Sequence, residues 1–442
     1  MERLIGSQAY SVDFPDLPGF NLFEPEGCVA TAQFLAAQIF GADQTWFLVN
    51  GSTVGVIASI FATCGPGDKI ILPRNVHRSA ISGLILSGAH PIFIAPEYEP
   101  QWDLVHCITP TSVAEALAQY PDAKAVLMVS PTYHGVGGDV GAIADLAHQK
   151  NIPLLVDEAH GAHFGFHPDL PPSALSLGAD LVVQSTHKTL SALTQASMLH
   201  HQGALVDPRG VSSVLQMLQS SSPSNLLLAS LEGTCQQMTE EGQQLMGQTL
   251  ALAHEFRERI SSIPKLTILS QPQPSTAGFC HFDPTRLTFD VSGLGLDGFT
   301  ADEICAEQFG VIAELPTLRH LTFIVSLGNR STDIDRLFCA LEYLSQHPSR
   351  ANCIAHLEGT AAPFSPIECS ALSPRDAFFA PRTSIPISQA AGHISAETLC
   401  PYPPGIPVTL PGERITSEQV AFLQHIQAAG GLITGCADPT LE

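Results

Sequence analysis

Lys188, in the run Ser185-Thr186-His187-Lys188-Thr189, follows a short apolar stretch and lies downstream of Asp157-Glu158-Ala159-His160-Gly161. Those residue types suit one chemistry in particular. A lysine amine condenses with an aldehyde, while a carboxylate at the end of a buried strand pairs with a protonated pyridine nitrogen and makes that ring an electron sink. The combination predicts an enzyme that works with pyridoxal 5'-phosphate (PLP), Lys188 being the attachment point and Asp157 the ring partner. The chain has five lysines. Lys69, Lys124, Lys150 and Lys265 sit in turn-like contexts where a solvated charge is ordinary. Lys188 alone follows a buried-looking strand, residues 180–185, and leads into a segment poor in charge.

The cofactor's phosphate needs a cradle, and Asn50-Gly51-Ser52-Thr53, at the first strand-to-helix junction, suits it. Gly51 lets the backbone turn closely, the hydroxyls of Ser52 and Thr53 donate hydrogen bonds, and the N-terminus of the following helix favours a dianion. The same pair would serve as a plain helix cap; its position upstream of Lys188 favours the cradle. Two other patterns carry no site. Residues 135–141 lack the spacing and strand context of a dinucleotide-binding loop. Asp157, His160 and His163 can be drawn as a metal cluster, but irregular chain after a strand gives their spacing no fixed geometry, so no metal is expected.

Up to His200 short apolar runs alternate with amphipathic stretches, which predicts βαβ units around a mainly parallel sheet. Strands are expected at 46–49, 69–72, 91–94, 125–129, 153–156, 181–183 and 197–200, with helices at 29–39, 53–63, 77–86 and 140–149. Residues 224–262 read as one long helix, of the kind that joins a large cofactor domain to a smaller one. Residues 265–348 mix strands and helices, and 363–411 is rich in proline, with a closing helix near 417–429. The expected organisation is a PLP-binding large α/β domain (1–223), a linker helix with a small α+β domain (224–348) and a C-terminal module (349–442).

A chain of 442 residues is expected to form roughly two or three units. Its hydrophobic content of 45% supports a sizeable core, no apolar run reaches the ~18 residues of a membrane span, and the start lacks a signal-peptide pattern. A soluble, cytoplasmic protein is expected. The eleven cysteines include no C-x-x-C pair, so reduced core thiols are the default. A formal charge of -23 argues against nucleic-acid binding and would draw in a cationic small substrate.

Several motifs together resemble the bacterial ornithine/lysine/arginine decarboxylases. They are residues 130–135, 156–164, 184–190, 195–200 and 222–230, with Asp16-Leu17-Pro18-Gly19 and Pro73-Arg74-Asn75-Val76-His77-Arg78-Ser79 near the start, and residues 397–407 and 411–414 near the end. The resemblance implies the aspartate-aminotransferase fold in a compact form without a receiver-like wing domain. It makes Lys188 the cofactor lysine and Asp157 the partner of the pyridine nitrogen. His77 would stack on one ring face, Ala159 would pack on the other, and His187 would sit beside the lysine. Ser52, Thr53 and Ser185 would bind phosphate, joined by Ser220 of a neighbouring subunit, so a homodimer is implied. His160 and His187 become candidates for holding the carboxylate or returning a proton to Cα. Glu314 and Glu397 fall in regions that the resemblance places near the site, either within one chain or across a dimer, and become candidates for holding the substrate cation.

The resemblance thus implies loss of CO2 from arginine, lysine or ornithine, one sequence leaving open which. Transamination or aldol cleavage on the same fold stays open, with Arg319 and Arg330 available to anchor an α-carboxylate. Family members usually carry a Pro-Gly-His-Lys segment before the Asp16 element, where this chain begins. A catalytically silent homologue is therefore a further alternative, one that intact Lys188, Asp157 and His77 oppose.

Overall fold

The computed structural model describes residues 21–23, 26–272, 276–348, 372–402 and 405–438. The Asp16 element, the expected boundary at 349 and residues 363–371 of the proline-rich stretch lie outside these described residues. Seven strands make the main sheet: β1 (Gln44–Leu48), β2 (Lys69–Pro73), β3 (His90–Ile94), β4 (Ala125–Val129), β5 (Leu154–Asp157), β6 (Leu181–Gln184) and β7 (Ser197–His201), in the order β1-β7-β6-β5-β4-β2-β3. From β6 across to β3 every pairing is parallel, while β7 runs antiparallel to both neighbours.

The apolar runs of these strands are explained by helices on both faces. On one side α2 (Gly51–Thr63), α3 (Arg78–Ser87) and α6 (Pro208–Leu218) bring Val54, Ile60, Ile81, Leu84 and Leu215 into one core with Ile70 and Leu72. On the other, α4 (Pro110–Gln119) and α5 (Val140–His148) bring Val113, Leu117 and Ile143 against Ile71 and Val126. Alternate residues of β2 therefore serve opposite cores, as a pleat with period two requires. Parallel strands also end on one common edge, and that edge collects the groups at the ends of β1, β2, β4, β5 and β6.

A 36-residue helix, α7 (Asn225–Ile260), runs from this unit into the next. Near its start Leu228, Leu231 and Cys235 pack with Val29 and Ala36 of α1 (Cys28–Phe40). Near its end Ala253, Phe256 and Ile260 join a second core with Leu287, Phe289 and Leu341. Spacings of three and four residues keep one stripe buried along the whole length. The second core lies on an antiparallel sheet, β8 (Thr267–Ile268), β9 (Arg286–Asp290), β10 (Leu315–Pro316) and β11 (His320–Ile324), in the order β8-β9-β11-β10. Helices α8 (Gly298–Phe309) and α9 (Ser331–Gln346) cover it.

The C-terminal segment pairs Cys400–Tyr402 with Leu432–Thr434 beside α10 (Ser417–Ala428). It docks through fully buried Arg74, whose guanidinium donates to the carbonyls of Pro407 at 2.6 Å and Val408 at 2.9 Å and pairs with Glu413 at 3.0 Å. The Arg78 N–H donates to the Gly405 carbonyl at 3.1 Å. The motif at 73–79 thus anchors the C-terminal segment at the mouth of β2.

Candidate active site

One cavity lies along the carboxyl edge of the main sheet, with walls from the antiparallel unit and the C-terminal segment. Asp157 closes β5 and Lys188 lies in the short helical turn Thr186–Thr189 after β6, and both line the cavity. The Lys188 Nζ is 2.9 Å from His160 Nε2 and lies 5.5 Å from the centre of the Tyr133 ring, which also packs on His160 at 4.4 Å. Asp157 accepts the Ala159 N–H at 3.2 Å, which fixes the turn after the strand. His77 stands as the N-cap of α3 rather than inside the helix expected at 77–86. Its Nδ1 accepts the Ser79 N–H at 3.2 Å and lies 2.8 Å from the Ser79 hydroxyl, holding the ring at the cavity wall.

Burial sets the electrostatics. It lowers the Lys188 pKa, which Asp157 and Glu314 oppose, so the amine more readily reaches its nucleophilic neutral form. Burial pushes the Asp157 carboxyl up, and the charge of Lys188 pulls it back. His160 is driven well below its usual value by burial and then by Lys188, and stays neutral. His77 falls to about 4 by burial, then by Lys188 and Arg78, which leaves an uncharged flat ring.

These shifts carry a stability consequence. His134 and His200 are lowered to about 3 and His320 to about 4, each chiefly by burial, as is His77. The unfolded chain then binds more protons than the folded one below the ordinary value of 6.5. The stability is full above that value and drains away as pH falls towards 3–4. Glu158, pushed up to about 8 by burial, acts in the opposite sense above its ordinary 4.5 and is outnumbered. The thermal midpoint should fall steadily between pH 6.5 and 4; a flat midpoint over that range would refute this account of the histidines.

The expected site residues do not all meet. Ser52, His77, Asp157, Ala159, His160 and Lys188 line the cavity together. Ser185 is buried behind Ser52 and donates to its hydroxyl at 2.7 Å. Thr53 is exposed and outside the lining. His187 is also outside it, its Nδ1 donating to the Ala196 carbonyl at 2.8 Å. Ser220 is exposed, and its N–H donates to Oδ1 of Asn50 in the same chain at 3.3 Å. Glu314 is exposed beside β10, and Glu397 accepts the Ala437 N–H at 3.0 Å; neither lines the cavity.

Other residues at the site carry no signal of their role in the sequence. Tyr133 lies within the motif at 130–135, but its contacts with Lys188 and His160 depend on the fold. Asp283 lies 3.1 Å from His163 and 3.4 Å from Arg286, all three buried. Arg286 in turn donates to the His160 carbonyl at 2.9 Å, tying β9 to the loop that carries His160. Gly135 is required there: a Cβ on it would come within 2.7 Å of Arg286 Cγ.

The residues present fit PLP. The N-terminus of α2 has no side-chain cap, so its first N–H groups are left for an anion. Gly51, at φ +75°, makes the turn that exposes them beside Ser52. A buried carboxylate, a flat neutral imidazole and one lysine amine then face the same space. A mostly parallel sheet with these groups along its carboxyl edge is the PLP-dependent transferase fold. A solved ureidoglycine-glyoxylate aminotransferase from Bacillus subtilis shares it, with TM-score 0.60 at 14% identity, covering 78% of this chain and 91% of that one.

The Orn/Lys/Arg decarboxylase major domain matches residues 5–286, and the C-terminal domain of the same family matches 362–436. The arginine decarboxylase of Bacillus subtilis is 40% identical over 441 residues, spanning 100% of this chain and 90% of that protein. The arginine decarboxylase of Bacillus anthracis is 39% identical, over 100% and 89%. The constitutive lysine decarboxylase of E. coli has a similar structure, with TM-score 0.83 at 20% identity, covering 100% of this chain and 74% of that one. The chain belongs to the Orn/Lys/Arg decarboxylase family and is a carboxy-lyase acting on a basic amino acid.

Proposed function

We propose that the enzyme converts arginine to agmatine and CO2, with PLP held on Lys188. The observation that carries the choice of arginine is the full-length likeness to arginine decarboxylases at 39–40% identity. The lysine decarboxylase of Pseudomonas aeruginosa is 23% identical and is covered over 69% of its length.

When bound, PLP supplies the sink for the electron pair left on Cα as CO2 departs. Ser52, with Ser185 behind it, and the bare N-terminus of α2 take the phosphate. The Asp157 carboxylate would keep a proton on the pyridine nitrogen by charge. His77 and Ala159, which both line the cavity, would hold the ring. The Lys188 amine, 2.9 Å from His160 Nε2, would be the group that holds the cofactor. His160, beside the Lys188 amine, would be placed to help return a proton to Cα.

Transamination is less favoured. Arg319, the arginine of the rival reading that lines the cavity, is already ion-paired with Asp290, and Arg330 is exposed at the start of α9. The division at 223/224 and 348/349 remains our reading of the domains. We also propose a cytoplasmic homodimer. Among the described residues no helix is long and apolar enough to cross a membrane, and Phe34, Leu35 and Met217 are large apolar side chains left exposed, of the kind that subunit contacts bury. Sedimentation of fully active monomers would contradict the dimer.

Incubating the purified, PLP-supplemented enzyme separately with arginine, lysine and ornithine decides the substrate. Agmatine should form with the highest kcat/KM. Faster cadaverine or putrescine formation would overturn arginine, and a keto acid in place of CO2 would overturn decarboxylation.

A further inference from the structure

A carboxylate gives the strongest hold on the end of a cationic tail, and among the described residues two carboxylates line the cavity, Asp157 and Asp103. We propose that Asp103 is the specificity-determining residue that pairs with the distal cation of the substrate, a guanidinium if the substrate is arginine. The inference rests on the basic-amino-acid reading above.

Asp103 lies in the turn of a small hairpin, Tyr98–Glu99 paired with Leu104–Val105, that overhangs the cavity. Its backbone is left-handed, at φ +50°, a conformation that aspartate and asparagine tolerate better than most residues. The Tyr98 hydroxyl donates to its Oδ1 at 2.6 Å and fixes the side chain.

Burial pushes the Asp103 carboxyl up and Asp290 adds to this, while the Tyr98 hydrogen bond and Arg319 pull it back; Lys188 answers instead to Asp157, Glu314 and Arg286. Of these groups Asp157 and Lys188 line the cavity from the main sheet, and Asp103 and Arg319 line it from the hairpin and the second sheet. Arg319 does not cancel the hairpin group, because its guanidinium already donates to Asp290 and, at 3.3 Å, to the Gln101 carbonyl. Two carboxylates against one guanidinium leave a net negative charge. His320, lowered to about 4, adds none of the opposite sign at neutral pH. Leu104, Leu318, Ile406, Phe422 and Ile426 supply apolar lining of the kind that suits the methylene chain of such a substrate.

Asp103→Asn in the holoenzyme keeps the turn and the shape and removes the charge. KM for arginine should rise about a hundredfold, the order expected when a charge-assisted contact is lost, with kcat within a few-fold of wild type. The inhibition constant of agmatine, which carries the guanidinium without a carboxylate, should rise in parallel. Asp103→Glu extends the charge by one methylene and should shift the preference from arginine towards the shorter ornithine; it serves as the test should the asparagine variant misfold. Wild-type values of KM and of agmatine inhibition in Asp103→Asn, or an unchanged length preference in Asp103→Glu, would overturn the assignment while leaving the decarboxylase reading intact. A wild-type enzyme that accepts no basic amino acid would overturn the functional reading itself, and this inference with it.

Discussion

Lys188→Ala is expected to abolish turnover, lowering kcat on the order of ten-thousandfold or more, the scale seen when a covalently acting residue is deleted. The effect should be chemical rather than structural. The side chain is half-buried at the cavity wall, and the turn that carries it is held by the backbone bond from the Lys188 N–H to the Ser185 carbonyl at 3.0 Å. Lys188→Arg separates the two roles of the residue. It keeps a cation facing Asp157 and His160 but cannot condense with an aldehyde, so it should be as inactive as the alanine variant. Retention of more than a tenth of wild-type kcat in either variant, with folding confirmed by an unshifted thermal midpoint, would rule out Lys188 as the cofactor lysine.

Asp157→Asn is expected to retain cofactor uptake and to lose about a hundredfold in kcat. An amide cannot hold the ring proton by charge, and a buried charge-assisted pair contributes ~3 kcal/mol. The buried position sharpens the effect, since Asp157 lies at the end of a strand with little water to replace its charge. Turnover close to wild type would show that the ring nitrogen is paired elsewhere.

The parts of this site that can be read from sequence are those that stand beside a strand end. Runs such as Ile70-Ile71-Leu72 and Leu154-Leu155-Val156 are apolar on both faces because two helical layers cover them, and that pattern gives away both the strands and their parallel arrangement. Once the strands are placed, Ser52, His77, Asp157 and Lys188 fall at their carboxyl ends without further information. The far wall of the cavity has no such signal. Asp103, Arg319 and His320 come from a hairpin and from a second sheet, and their meeting depends on packing between distant stretches of chain. The same is true of Arg286, which reaches the His160 carbonyl across 126 residues. Glu314 and Glu397 have the right chemistry for a substrate cation, but neither lines the cavity within one chain.

Borohydride reduction of the holoenzyme, followed by peptide mapping, bears most directly on the assignment of this site. The reduced cofactor should be recovered as a pyridoxyl group on the peptide that contains Lys188, in a stoichiometry approaching one per chain. Recovery on Lys69, Lys124, Lys150 or Lys265, or no incorporation into folded protein supplied with PLP, would contradict it.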